Sequence, residues 1–126
     1  MDILNIFQSD RDGIRKSYVK NLIMIAMADG QIDDEEWQLL TELGKRIGLT
    51  EEEIIHVRDN QESITFHPPK NYDDRVQQIR DLVAIMTIDG EINEKELSLC
   101  KKISLKLDVL PQIVDRIIKE NSFASK

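Results

Sequence analysis

The stretch LIMIAMADGQIDDEEWQLLTELGKRIGL, residues 22–49, decides the fold because the chain contains it twice. Residues 82–109, LVAIMTIDGEINEKELSLCKKISLKLDV, align with it without gaps at an offset of 60 positions. The identical positions are Leu22, Ile25, Asp29, Gly30, Ile32, Glu36 and Leu39 in the first copy and Leu82, Ile85, Asp89, Gly90, Ile92, Glu96 and Leu99 in the second. A repeat of this length is one supersecondary unit used twice.

Each copy reads as helix–turn–helix. A glycine follows the first apolar segment in both copies and is the residue type that ends a helix in the left-handed conformation. Asp33 and Glu36 then have the spacing of a capping box, and Asn93 and Glu96 repeat that spacing. The sequence therefore predicts that both acidic motifs are helix starts.

The sequence predicts an all-α fold with six to seven helices in one domain, residues 1–126. The repeat units are expected at about 12–62 and 72–120, with a linker at 61–71 that contains Pro68-Pro69. The two long apolar helices, 12–28 and 73–88, should pack on each other across a pseudo-two-fold axis. That arrangement would place the two Asp-Gly turns at equivalent positions.

The charge of the chain is negative and unevenly distributed. Its 126 residues carry a net charge of −7, and residues 29–62 hold 11 acidic and 3 basic side chains. A field of this sign opposes binding to nucleic acid and to anionic membranes but attracts cations and basic proteins. The beginning of the chain lacks the pattern of a secretory signal, and no apolar run approaches the ~20 residues that a membrane span requires. We expect a cytoplasmic protein without membrane insertion.

The residues around the first turn resemble the signature of the TerB-like family of tellurite resistance proteins. The motif is MADGQIDDEE, residues 27–36, followed by Leu40, Leu43, Gly44 and Ile47, and IDGEINEKEL, residues 88–97, resembles the other half of the family pattern. The similarity covers roughly residues 12–120. It implies an all-helical domain built from a duplicated unit, an association with stress responses and tellurium-oxyanion resistance, and a metal-chelating role for acidic residues.

The acidic residues at the two turns are the candidate metal ligands. They are Asp29, Asp89, Asp33, Glu36 and Glu96. Hard carboxylate oxygens suit Ca²⁺, Mg²⁺ or Mn²⁺, provided that the two turns lie close together. An EF-hand is a poor match, because its first ligand positions would be Ile25 and Ile85. The alternative is structural, with Asp29 and Asp89 bonded to backbone N–H groups in Asx-type turns.

Other reactive residue types give no pattern of a catalytic site. The only cysteine, Cys100, aligns with Leu40 and is expected to be a small core residue, and His56 and His67 lack zinc-ligand spacing. No pair of nucleophile and base can be named. We therefore expect no enzymatic activity and no cofactor other than one of the cations named above.

The expected function is that of a TerB-like binding module related to stress or tellurite resistance. Its acidic segment, residues 29–62, would dock an unknown protein partner, with a divalent cation at the Asp-Gly turns as a further element. A metal-binding sensor or buffer is the alternative, and an enzyme of unknown reaction is the second alternative. The apolar residues 22–28 also suggest a homodimer.

Overall fold

Between residues 3 and 124 the chain forms six α-helices and no strand. The computed structural model describes the backbone of these residues and the side chains of residues 11–121. The helices are α1 (Ile3–Ala26), α2 (Asp34–Arg46), α3 (Glu51–Asp59), α4 (Tyr72–Thr87), α5 (Glu94–Lys106) and α6 (Gln112–Ala124), and a 3-10 turn spans Gln61–Ser63. The predicted all-α class with six to seven helices is confirmed.

The helix starts follow from short polar side chains that accept backbone N–H groups. Asp33 caps α2 by accepting from the Glu36 backbone N–H at 2.8 Å, and the Glu36 carboxylate accepts in return from the Asp33 backbone N–H at 3.2 Å. Thr50 and Glu53 form the same reciprocal pair at the start of α3. Each of these caps satisfies backbone donors that have no partner inside the helix.

Helices α1 and α4 lie at the centre of the molecule, as predicted, but α1 begins at Ile3 and ends at Ala26 instead of spanning the predicted residues 12–28. Their apolar residues, which include Val19, Leu22, Ile23, Ile79, Leu82 and Val83, are fully buried. Two buried hydrogen bonds join the helices, from Tyr18 Oη to Asp81 Oδ2 at 2.5 Å and from Asn21 Nδ2 to Gln78 Oε1 at 2.6 Å. Positions 18 and 78 are equivalent in the repeat, as are 21 and 81. A two-fold relation requires such reciprocal pairing, and the pseudo-two-fold axis itself stays a prediction.

The apolar residues that suggested a homodimer lie in the core of the single chain. Leu22, Ile23, Ile25 and Ala26 have no exposed surface, whereas the Met27 side chain is 39% exposed. The core therefore uses most of the apolar surface that a homodimer through residues 22–28 would need. The sequence-based reason for such a dimer is lost.

The second copy of the repeat carries a backbone conformation that its residue type disfavours. Gly48 follows the end of α2 by two residues and has a φ of 103°, and the equivalent residue after α5, Asp108, has a φ of 60°. In both cases the following residue, Leu49 or Val109, donates its N–H back to the carbonyl five positions earlier, at 3.0 Å. This left-handed cap is unstrained for glycine and strained for most other residues.

Replacing Asp108 with glycine is expected to raise the free energy of unfolding by about 0.5–1 kcal/mol, because it removes that strain. The Asp108 carboxylate is 95% exposed and lies 4.0 Å from Arg75, so little interaction is lost. Urea unfolding followed by circular dichroism measures the change. Asp108→Ala is the control, since it removes the same charge but keeps the Cβ atom. An equal gain in Asp108→Ala would show that charge, and not backbone conformation, is responsible.

Candidate cation site at the Asp-Gly turns

The two Asp-Gly turns, which are 60 residues apart in sequence, meet at one surface depression. Gly30 and Gly90 have φ of 116° and 87°, as predicted for the left-handed residue after a helix. Asp89 from the second turn lines the same depression as Asp29, Asp33 and Glu36 from the first. The volume of this depression is about 590 Å³. The tertiary structure thus brings carboxylates of both repeats to one place.

Two glutamates are buried beside this depression, and their environment favours the protonated form. Glu36 is 7% exposed and Glu96 is 6% exposed. Burial raises the pKa of both from 4.5 to about 7. For Glu96, the negative charges of the neighbouring carboxylates add to the effect of burial; these neighbours are Glu36, Asp29, Asp89 and Asp33. For Glu36, the hydrogen bond from the Asp33 backbone N–H lowers the pKa and so offsets part of the effect of burial, while the Asp33 carboxylate raises it.

We call these five residues the acidic cluster: Asp29, Asp33, Glu36, Asp89 and Glu96. They are the candidate ligands predicted from the sequence, and the other four raise the pKa of Glu96. Side chains that repel one another near neutral pH either retain protons or attract a counter-ion. In the described part of the chain, however, no three His, Cys, Asp or Glu side chains stand in an arrangement ready to hold a metal ion.

The two copies of the motif differ in their local hydrogen bonds. The predicted capping box at Asn93 and Glu96 is wrong, because the Asn93 side chain accepts from the Lys95 backbone N–H at 2.7 Å instead of from Glu96. Asp89 accepts from the Glu91 backbone N–H at 3.1 Å, as an Asx-type turn requires. Asp29 has no equivalent bond among the described residues. The structural explanation therefore accounts for Asp89 but leaves Asp29 without a backbone partner.

The remaining reactive residues give no alternative site. Cys100 is fully buried in the core, as predicted, and burial raises the pKa of its thiol to about 12. A thiol in this state holds almost no nucleophilic thiolate at neutral pH. His67 donates its backbone N–H to the Ser17 hydroxyl at 2.8 Å, so its segment is anchored to α1.

A buried polar network that the sequence did not predict joins α1, α2 and α4 around Asp81. Asp81 is 4% exposed, and its carboxylate accepts hydrogen bonds from Tyr18, Arg46 and Gln77. The one sign of this network in the sequence is Asp81 itself, an acidic residue within the apolar part of α4. The sequence gives no indication that Tyr18 and Arg46, 63 and 35 positions away, are its partners.

Comparison with known proteins gives one family match, in the first half of the chain. Residues 3–59 match the family model of tellurite resistance protein TerB, which confirms the resemblance to the TerB-like family. The match ends before the linker, so it covers the first repeat. No curated protein and no solved structure gives a significant match. None of the helices described between residues 3 and 124 is long and apolar enough to cross a membrane.

Proposed function

We propose that this TerB-like chain is a non-enzymatic binding module that takes up a divalent cation at the acidic cluster. The observation that carries the proposal is the meeting of Asp29 and Asp89, from two separate turns, around one depression that Glu36 also lines. Carboxylates that share a site lower one another's tendency to ionise, and a cation of charge +2 relieves that repulsion directly.

The donor set favours a hard metal ion. All five side chains offer carboxylate oxygens, which suit Ca²⁺, Mg²⁺ or Mn²⁺ better than softer metals. Asp29, Asp33 and Asp89 are exposed, so their side chains can turn toward an ion without disturbing the core. Glu36 and Glu96 would contribute from the buried side, where each would exchange a proton for the metal.

A second function, docking of a basic protein partner, is favoured by the exposure of the acidic segment. Of the 11 acidic residues between 29 and 62, all except Glu36 and Glu53 are exposed. Such a surface speeds and orients association with a positively charged protein, in a salt-sensitive way. We propose a tellurite-resistance context for this module, which the TerB match supports, and a wider stress-related role as part of the same proposal.

The test is an amide NMR titration of the metal-free protein with Ca²⁺, Mg²⁺ and Mn²⁺ in separate experiments. We expect saturable changes at Gly30, Gly90 and their neighbours with at least one ion. Asp29→Asn combined with Asp89→Asn should weaken binding about tenfold or more, because two of the ionised ligands are lost. Binding should also weaken as the pH falls below 7, because protons then compete for Glu36 and Glu96.

The matched control is Glu42→Gln combined with Glu52→Gln, which removes the same charge from exposed positions of the acidic segment outside the cluster. Its cation affinity should stay near that of the unchanged protein. Equal weakening in both double variants would indicate diffuse attraction and not a site. If no ion causes a saturable change at millimolar concentration, the acidic cluster has no cation-binding role. The docking of a basic protein is then the remaining proposed function.

A further inference from the structure

A groove lies along the middle of α1, apart from the acidic cluster that follows the C-terminal end of this helix. It is bounded by α1, the C-terminal end of α2 and the beginning of α4, and its volume is about 790 Å³. This volume is within the range of small-molecule sites in proteins, which is roughly 300–1,000 Å³. Ile14, Ile47 and Pro69 supply apolar surface to its lining.

The groove collects positive charge in a protein whose net charge is −7. Its basic lining residues are Arg11, Arg15, Arg46 and Lys70, and its acidic ones are Asp74 and Asp81. Asp81 is buried and fully engaged by neighbouring donors, so its charge is compensated within the protein. With Arg46 and Asp81 paired, the exposed charges of Arg11 and Arg15 exceed that of Asp74, and this part of the groove is positive.

Three arginines are placed so that they can act together. Arg11 and Arg15 are four positions apart on α1 and thus on one face, where like charges destabilise a helix. Neither forms an ion pair with another described residue. The Arg15 guanidinium packs against the backbone of Gly48. A Cβ atom on residue 48 would lie only 3.2 Å from the Cζ atom of Arg15. That contact holds Arg15 next to the end of α2, from which Arg46 projects.

Arg46 is oriented by the buried carboxylate beneath it. Its Nη2 atom donates to Asp81 Oδ2 at 2.7 Å, and the side chain is still 52% exposed. A guanidinium has five N–H donors in a rigid plane, so donors remain for a ligand after one is used by Asp81. An oriented arginine loses less conformational entropy when it binds an anion.

We propose that this groove binds a small organic anion, with its carboxylate or phosphate group held by Arg15 and Arg46 and its apolar part packed on Ile14, Ile47 and Pro69. Arginine forms bidentate, charge-assisted hydrogen bonds with both kinds of anionic group. The apolar lining and the volume favour an organic molecule over a bare inorganic ion. The site is separate from the acidic cluster and does not depend on the function proposed for it.

The test is an NMR titration with three probes that share a phenyl ring: phenyl phosphate, benzoate and uncharged benzyl alcohol. We expect saturable amide shifts at groove residues such as Arg15, Ile47 and Gln77 with at least one anionic probe, and binding at least about tenfold weaker for benzyl alcohol. Tighter binding of phenyl phosphate identifies a phosphate-bearing ligand, and tighter binding of benzoate identifies a carboxylate.

The variant is Arg11→Gln combined with Arg15→Gln, which leaves the bonds of Asp81 intact and so should retain the fold. It should weaken binding of the anionic probe about tenfold. The control, Lys102→Gln combined with Arg116→Gln, removes the same charge from exposed residues outside the groove and should leave binding unchanged. Absence of saturable shifts at millimolar concentration, equal binding of benzyl alcohol, or equal loss in the control would each overturn the proposal.

Discussion

Replacing Asp81 with alanine is expected to lower the free energy of unfolding by about 2–4 kcal/mol. The Asp81 carboxylate is the shared acceptor of the Tyr18 hydroxyl, the Arg46 guanidinium and the Gln77 amide. Without it, the Tyr18 hydroxyl is left in the core with no acceptor, at a position that is only 6% exposed. A buried donor without a partner loses its hydration and gains nothing in return.

Tyr18 supplies the control for this prediction. Burial, and then the neighbouring Asp81 carboxylate, raise the pKa of Tyr18, so that the hydroxyl stays protonated and acts as the donor. Tyr18→Phe removes this donor and should cost about 1 kcal/mol, because Asp81 keeps its other partners. The double variant should cost less than the sum of the two single changes, and chemical unfolding of all four proteins measures this coupling. Additive costs would show that the Tyr18–Asp81 bond does not stabilise the fold.

Replacing both Glu36 and Glu96 with glutamine is expected to change the pH dependence of stability. Both carboxyls have a pKa of about 7 in the folded protein, above the 4.5 of the exposed group. The folded state therefore holds protons that the unfolded state releases, and stability from these groups is lost as the pH rises from about 4.5 through 7. The combined loss is on the order of 3 kcal/mol, since one pKa unit corresponds to about 1.4 kcal/mol and the two carboxyls share part of their shift.

Glutamine resembles the protonated carboxyl, so the double variant should match the unchanged protein near pH 4.5 and exceed its stability near pH 8. The measurement is the midpoint of urea unfolding at several pH values with a metal chelator present. Glu42→Gln combined with Glu52→Gln changes the same number of charges at exposed positions and should leave the pH profile nearly parallel to that of the unchanged protein. Parallel profiles for the Glu36 and Glu96 variant as well would rule out raised pKa values in the acidic cluster.

The helices could be predicted from the sequence because their signals are local. The Asp33 and Glu36 capping box forms within one turn of backbone, and the left-handed Gly30 and Gly90 follow from steric rules that apply to any chain. The second capping box was wrong, because the Asn93 side chain accepts from the Lys95 backbone N–H and not from that of Glu96. Burial of Glu96 does not explain this difference, since Glu36 is equally buried and still forms its capping box.

The repeat and its residue pattern by themselves determined the all-α class, the starts of α2 and α5 at Asp33 and Asn93, the central position of α1 and α4 and the identity of the acidic residues at the turns. They did not give the start of α1 at Ile3. The tertiary structure alone decided which residues distant in sequence lie together. Asp29 lies near Asp89, Tyr18 is bonded to Asp81, and Arg15 contacts the end of α2. The physical reason is that helix starts and ends depend on interactions within a few residues. The burial that shifts a carboxyl pKa, and the collection of arginines along a groove, depend on how the helices pack.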